Sequence, residues 1–501
     1  MSDRPNILII MADQLAPQFT GTYGHPLVQT PHLDALAARG MRFDAAYCNS
    51  PLCAPSRAAF MSGQAVSRTG VYDNAAEFPA SIPTFAHYLT GAGYRTCLSG
   101  RMHFVGPDQK HGFAERLTTD IYPADFAWTP DWTRPEERID SWYHNMGPIK
   151  EAGTAHATFL TDYDDEVAFA ARRWLMDRAR DRAAGEAAPF CLVTSFFHPH
   201  DPYVARHAFW DLYDDIPLPE SPPATDPMSR RLMDGIEAST TPVTPEEVRR
   251  ARRAYFANVS YIDAKIGELI QTLTETDALD NTVVIVTSDH GDMLGERCLW
   301  FKMSYFEHSV RVPLVMAGPG IATGTAPNAC SLIDLAPTLM DLAEAGDPRV
   351  PLDGRSLMPL ARGEQDDTSE VIAEYCAEMT GAPVFMIRRG AMKYIHCDTD
   401  PPQLYDLDAD PDELTNVATD PAYAAQAVAF ADEVAQRWDS AALQRDVIAS
   451  QQARFAVHKG MAAAGPTQWD HSPQSDATRQ YVRSHMDWAV ADRRYRYPPL
   501  P

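Results

Sequence analysis

The sequence predicts an α/β protein with a doubly wound sheet, and three observations carry that reading. Apolar runs of strand length recur at 6–11, 190–197, 283–287 and 312–316, and each runs directly into polar or Gly/Pro residues. Stretches with i, i+3, i+4 apolar spacing lie between them, as amphipathic helices require. The composition, 45% hydrophobic and 22% charged over 501 residues, is that of a globular chain too long for one small core.

The first strand is Asn6 to Met11, closed by Asp13, and its unbroken apolar character suits burial on both faces of a parallel sheet. A short helical period follows at Leu33 to Leu36. Another is set by Ile82, Phe85 and Leu89, with Pro83 placed for a first helical turn. FCLVTSFF (190–197) is the next strand and leads into HPHDP. The clearest helix comes after it, on Val259, Ile262, Ile266, Leu269, Ile270 and Leu273. VVIVT (283–287) then runs into SDHGD, and VPLVM (312–316) into AGPG. Open α/β sheets build their sites at the carboxyl ends of such strands, so the polar residues after each run are the candidates for chemistry.

This architecture covers residues 1–365. Beyond it, SEVIAEYCAE, VFMIRRGAMKYIHC and QLYDLDADPDE read as short strands joined by turns, predicting a small antiparallel sheet near 366–420 and a helix at about 421–445. Together these make a small C-terminal α+β unit, 366–445. Residues 446–501 read as an extended tail. Its Trp469, Tyr481, Trp488, Tyr495 and Tyr497 are too many aromatics for plain solvated chain, and predict docking on a neighbouring subunit. There are no internal repeats.

The formal net charge of −25 excludes a nucleic-acid binder, which needs a basic surface to displace phosphate counterions. It agrees with attraction of a cationic ligand, but by itself it reads first as surplus carboxylates that keep the protein soluble. No stretch approaches the roughly 18 apolar residues of a membrane span. The N-terminus shows no basic stretch followed by an apolar signal core. Eight scattered cysteines without paired spacing read as reduced thiols. A cytoplasmic protein is expected.

One short stretch stands out. NSPLCAPSR (49–57) sets Cys53 between Pro51 and Pro55 and ends on Arg57. Pro55 biases Ala54 towards extended backbone and suits a first helical turn, which puts Cys53 just before a helix N-terminus. By these residues alone Cys53 is either a buried structural thiol or a nucleophile needing a histidine base. C-A-P-S-R followed by Phe60, Ser62 and Gly63 resembles the signature of the type I sulfatases. That resemblance implies an alkaline-phosphatase/sulfatase-like sandwich, with a large mixed sheet between helices. It also implies oxidation of Cys53 to 3-oxoalanine (formylglycine) by a formylglycine-generating enzyme. The hydrated aldehyde carries two hydroxyls: one attacks sulfur, and loss of the other's proton later expels sulfate by C–O cleavage, without water attacking sulfur.

A sulfate monoester also calls for one hard divalent cation and several fixed positive groups. Asp13 and Gln14 end one strand; Asp289 and His290 end another. Aspartate caps many strand and helix ends, so each pair alone is weak. The resemblance places Asp13, Gln14, residue 53, Asp289 and His290 as the metal ligands. Gln14 in place of a second Asp, and His290 where Asn is frequent, weaken the case for magnesium and admit manganese beside calcium. By the same resemblance, Arg57 holds the hydrated nucleophile. Arg101 with His103 (SGRMHF), His200 (HPHDP) and Lys302 (WFKMS) complete the catalytic set. His200 or Lys302 protonates the leaving alcohol, and His103 assists the second deprotonation. Arg101 departs from the lysine usual in the motif; its charge is kept, but it cannot shuttle a proton.

The resemblance extends through DQLAPQF, GTYGHPLVQTPHLDALAARG, YDNAAEFPA, HFVGPDQKHGF, TTDIYPADFAWTPDW, WYHNM and LYDLDADPDE, and narrows to the choline sulfatase branch of the family over nearly the whole chain. A trimethylammonium head has no hydrogen to donate, so aromatic faces and carboxylates recognise it. Trp128, His144 and Glu378 are the implied choline pocket, with Trp128 as the wall and Glu378 as the countercharge. On spacing alone Phe126, Trp128 and Trp132 fit loop aromatics covering core equally well. The branch further implies a homo-oligomer, a tetramer with tails crossing between subunits. Two alternatives remain on the sequence: a phosphonate monoester or phosphodiester hydrolase with the same nucleophile and metal set, and a non-catalytic sulfate-ester binding protein.

Overall fold

The computed structural model describes residues 4–138, 144–186, 188–463 and 465. Its centre is a nine-stranded sheet. In spatial order the strands are Gly324–Ser331, Met41–Tyr47, Leu314–Ala317, Thr282–Ser288, Asn6–Asp13, Phe190–Pro199, Arg95–Gly100 and Glu115–Arg116, with Arg311–Val312 paired to Met41–Tyr47. Asn6–Asp13 lies between two parallel neighbours, pairing Ile9 with Val193 on one side and with Ile285 on the other. All eight of its residues are buried, as an apolar run at the centre of a two-faced sheet must be.

The sheet is mixed. Residues 312–316, read as one more strand of the parallel set, instead form Arg311–Val312 and Leu314–Ala317, and both run antiparallel to Met41–Tyr47. Pro313 has no N–H to give the ladder and splits the run. The connection from Ser288 to Leu314 holds only short helical turns and returns on the same side, so the strand comes back reversed. A buried apolar run reports burial on both faces; it carries no direction.

Helices cover the sheet in two groups. Phe159–Ala183, Pro245–Glu275 and Pro31–Ala37 pack on one another; Cys53–Ser62, Phe85–Gly91 and Leu335–Leu342 form the second. The period at 259–273 lies inside the 31-residue helix Pro245–Glu275, started by a Thr244–Glu247 capping box. Pro83 sits outside its helix: Thr84 is the N-cap of Phe85–Gly91, closed by His87. The threonine cap starts that helix two residues beyond the proline.

Glu370–Tyr375, Val384–Arg389, Met392–Cys397 and Asp400–Asp406 form the second sheet, antiparallel in sequence order. The helix expected at about 421–445 is two, Ala424–Arg437 and Ser440–Ala462. The first covers the small sheet, with Phe430 stacked on Tyr394 at 5.5 Å. The second continues into the stretch read as tail and buries Val447, Gln451 and Arg454. Trp469, Tyr481, Trp488, Tyr495 and Tyr497 lie outside the described residues. Among the described residues no helix is long and apolar enough to cross a membrane. All eight cysteines are free thiols.

Candidate active site

Parallel strands end at one edge, and that edge collects the polar residues that follow each apolar run. Asp13 closes the central strand and Gln14 turns away with a left-handed φ of 65°. Asp289 and His290 follow Thr282–Ser288; His200 and Asp201 follow Phe190–Pro199; Arg101 follows Arg95–Gly100. Gly100, at φ 108°, lies so close to the Ser195 carbonyl that a Cβ has no room, which lets Arg101 turn in beside the neighbouring strand.

Cys53 is the first residue of Cys53–Ser62, with Leu52 as extended N-cap, so Ala54 is helical where extended backbone was expected. Ser56 N–H closes on Leu52 O at 3.0 Å, and Ala54 N–H, an orphan donor of the first turn, is taken by Asn74 Oδ1 at 2.9 Å. Pro55, third in the helix, sits where its missing N–H costs nothing. Every residue of this helix is buried. Burial pushes the Cys53 thiol up to about 12, so as a thiol it is protonated at neutral pH.

Ligand atoms of Asp13, Cys53, Asp289 and His290 all lie within 4.8 Å of one another. His290 Nδ1 is 3.0 Å from Gly291 O, which can only accept. The ring therefore donates through Nδ1 and turns the Nε2 lone pair towards Cys53 Sγ, 3.2 Å away. Burial drives this ring's pKa down to about 3, keeping it a neutral donor. Arg57 Nε donates to Asp289 at 2.8 Å and Nη2 to Asp13 at 3.0 Å. Burial opposes ionisation of Asp289, but the Arg57 guanidinium holds its carboxyl well below the usual range. Asp13 Oδ2 takes both Arg57 and Arg101, while Oδ1 faces His290 and Cys53 at 3.8 and 3.9 Å. Two carboxylates, a neutral imidazole lone pair and residue 53 converging in a dry site suit a divalent cation. Gln14 touches this set through its backbone, the N–H donating to Asp289 Oδ1 at 3.1 Å. Its amide nitrogen is held by Asp292 (2.8 Å) and Asp201 (3.3 Å), which fixes Oε1 as an acceptor towards Lys302 at 2.6 Å.

Lys302 Nζ also lies 2.7 Å from His200 Nε2. His200 Nδ1 faces the Asp201 carbonyl at 2.7 Å, so it donates there and Nε2 accepts from the ammonium. Phe301 and Met303, on either side of Lys302, have φ of 64° and 74°, backbone strain that aims the lysine inward. Arg57 Nη1 reaches Ser195 Oγ and Arg101 O, both at 2.8 Å. Arg101 pairs with Asp13, and its guanidinium carbon sits 4.1 Å from the Tyr122 ring centre. Arg101 Nη2 is 3.2 Å from His103 Nδ1. A guanidinium only donates, so Nδ1 accepts and the hydrogen sits on Nε2, a buried atom with no partner among the described residues.

The three expected cation-pocket residues neighbour the His103, His200 and Lys302 side of this cluster. Trp128 is edge-on to His103 at 6.1 Å, His144 lies 6.3 Å from His200 and 5.0 Å from Phe301, and Glu378 feels the charge of Lys302. Burial, helped by the negative charge of Asp73, pushes the Glu378 carboxyl up to about 8. Trp132 is different: it is core, its indole N–H donating to Ala377 O at 2.8 Å.

Several residues at the site escaped the sequence reading. Asp120 accepts the N–H groups of Met102 and His103 at 3.0 and 2.8 Å, holding the turn after Gly100. Asp201 and Asp292 orient Gln14, and Tyr122 stacks under Arg101. Each lies on a loop with no periodicity to mark it, although Asp292 is the last residue of the SDHGD segment already singled out.

The chain matches the family model described as Sulfatase over residues 5–345, N-sulphoglucosamine sulphohydrolase, C-terminal, over 295–439, and Choline sulfatase enzyme C terminal over 445–497. It is 51% identical over 510 residues to the choline-sulfatase of Rhizobium meliloti (strain 1021), covering 99% of each chain. It is 31% identical to the arylsulfatase K of Gallus gallus over 452 residues, covering 83% of this chain and 79% of that one. Among solved structures, the phosphonate monoester hydrolase of Agrobacterium radiobacter superposes with a TM-score of 0.71 at 24% identity, over 86% of this chain and 95% of that one. A putative sulfatase from Bacteroides thetaiotaomicron VPI-5482 gives 0.67 at 24% identity, over 94% and 96%. At those identities the two structures speak for the fold.

Proposed function

The chain belongs to the sulfatase family, and from that premise we propose that it hydrolyses choline O-sulfate to choline and sulfate. The reading is carried by Trp128 lying edge-on to His103, His144 beside His200 and Glu378 within the field of Lys302, in a chain whose Cys53, Asp13, Asp289 and His290 converge. The full-length likeness to a choline-sulfatase supports it.

In this reading Asp13, Gln14, residue 53, Asp289 and His290 hold one divalent ion, calcium or manganese, which would supply a Lewis acid beside the nucleophile. Residue 53, as formylglycine, would supply a geminal pair of hydroxyls, one to take the sulfuryl group and one whose deprotonation frees sulfate. The chain's own residues do the rest. Arg57 bridges Asp13 and Asp289 beside the nucleophile and keeps Asp289 ionised. Lys302 and His200, already sharing a hydrogen bond, bind sulfate oxygens and pass a proton to the departing choline oxygen. That proton matters because a primary alkoxide is a poor leaving group. His103, as bonded, carries its hydrogen on Nε2; it takes a proton from the nucleophile only after Arg101 releases Nδ1. Arg101 thus governs the tautomer of His103 while neutralising Asp13. Trp128 offers its π face to the trimethylammonium group and Glu378 its countercharge.

The same reading includes a formylglycine-generating enzyme acting on Cys53, a cytoplasmic location, and self-association into a tetramer through the C-terminal tail. Paired kinetics on choline sulfate, 4-nitrophenyl sulfate and a phenyl phosphonate test the substrate assignment. A kcat/KM for choline sulfate at or below that for the phosphonate overturns it.

A further inference from the structure

The C-terminal helix Ser440–Ala462 meets the site through two buried side chains. Arg454 Nη1 and Nη2 donate to the two oxygens of Asp73 at 2.6 and 2.7 Å, a bidentate pair with Asp73 fully buried and Arg454 5% exposed. Arg454 Nη1 also reaches Thr129 Oγ1 at 3.2 Å. One turn away, Gln451 Oε1 accepts the backbone N–H of Trp132 at 2.9 Å. Asp73 precedes Asn74, the residue that caps Ala54 beside Cys53. Thr129 follows Trp128 directly. Both Gln451 and Arg454 lie within the segment matched by the choline sulfatase C-terminal family model.

We propose that Arg454 is a positioning residue that sets the distance between the nucleophile and the cation wall. One guanidinium ties the turn behind Cys53 to the loop bearing Trp128, and Gln451 pins the far end of that loop. The position of Cys53 is fixed separately by its helix and the groups around Arg57, so losing the clamp frees the Trp128 loop and leaves the nucleophile in place. Removing one partner of a dry ion pair leaves a buried charge, here that of Asp73, and destabilises the fold, so the variants that keep Asp73 paired weigh most. The inference rests on the choline sulfate reading, because only a cationic substrate needs that spacing.

The test compares the metal-loaded enzyme and its variants on choline sulfate and on 4-nitrophenyl sulfate, whose alcohol part carries no cation. Arg454→Gln is expected to raise KM for choline sulfate by about tenfold or more while kcat/KM for 4-nitrophenyl sulfate stays within about threefold. Arg454→Lys, which keeps the charge but not the fork, should recover part of the loss. Thr129→Val keeps the ion pair but removes the link to Arg454 together with the hydroxyl's own 2.8 Å bond to Phe126 O, and should move KM in the same direction; where Arg454→Gln does not fold, Arg454→Lys, which keeps Asp73 paired, decides the matter by a smaller rise in KM for choline sulfate alone. Equal losses on both substrates, or no change on either, overturn the proposal. A wild-type enzyme without preference for choline sulfate overturns the substrate reading, and this inference with it. Intact wild-type preference that survives in both Arg454→Gln and Thr129→Val overturns the clamp alone.

Discussion

Lys302 donates its ammonium hydrogen to Nε2 of His200 across 2.7 Å, and the same nitrogen reaches Gln14 at 2.6 Å. A cation held between a neutral imidazole and an amide oxygen is poised to give up a proton to an oxygen arriving between them. Lys302→Ala and His200→Ala should therefore lower kcat about a hundredfold or more on choline sulfate and much less on 4-nitrophenyl sulfate, whose phenolate leaves unaided. The ratio of the two losses is the measurement; equal losses argue for sulfate binding alone.

Cys53 has no exposed atom and sits in the first turn of a wholly buried helix. Cys53→Ala is expected to abolish turnover, and mass spectrometry of the peptide spanning residues 49–57 of active enzyme to show an aldehyde, trapped by a hydrazine. Active protein carrying only the thiol removes the proposed nucleophile.

Asp13, Asp289 and His290 bring two carboxylates and a lone pair into one dry space. Dialysis against a chelator should abolish activity and lower Tm, since loss of a bound ion removes its binding free energy from the folded state. Restoration by manganese in preference to magnesium is expected from the nitrogen-bearing donor set, with calcium tested beside it as the larger oxygen-seeking ion.

Glu378 has a carboxyl pushed up to about 8 by burial and by Asp73. Below that pH the free enzyme holds the acid neutral; above it a carboxylate meets the cation. Log kcat/KM for choline sulfate should therefore rise with pH and level near 8, and Glu378→Gln should flatten that limb. The sign for stability is opposite. The folded pKa lies above the ordinary 4.5, so the stabilisation is complete below 4.5 and lost as pH rises through about 8. Glu378→Gln should melt above wild type at pH 9, with the gap closing at pH 5.

Trp128 is half-buried, next to Tyr122 at 5.1 Å and His103 at 6.1 Å. Trp128→Ala should raise KM for choline sulfate by roughly tenfold, the scale of a cation–π contact of about 1–2 kcal/mol. An uncharged alkyl sulfate should lose far less; similar losses on both place Trp128 outside the cation's pocket.

Linear order already held the strand-end residues. Asp13, His200 and Asp289 come just after largely apolar strand runs, and such runs in a parallel sheet must finish at one edge, so local chemistry put these side chains together before any coordinates did. The C-A-P-S-R stretch named Cys53 in the same local way. Folding in three dimensions settled what no window of sequence contains. The reversal of Leu314–Ala317 depends on the path of a long connection. The hydrogen-bond directions of His103, His200 and His290 depend on neighbours far along the chain. Asp73 meets Arg454 across 381 positions. Periodicity encodes which face of an element is dry; it says nothing of which distant partner will satisfy a buried charge, because that choice is made only when the elements close around it.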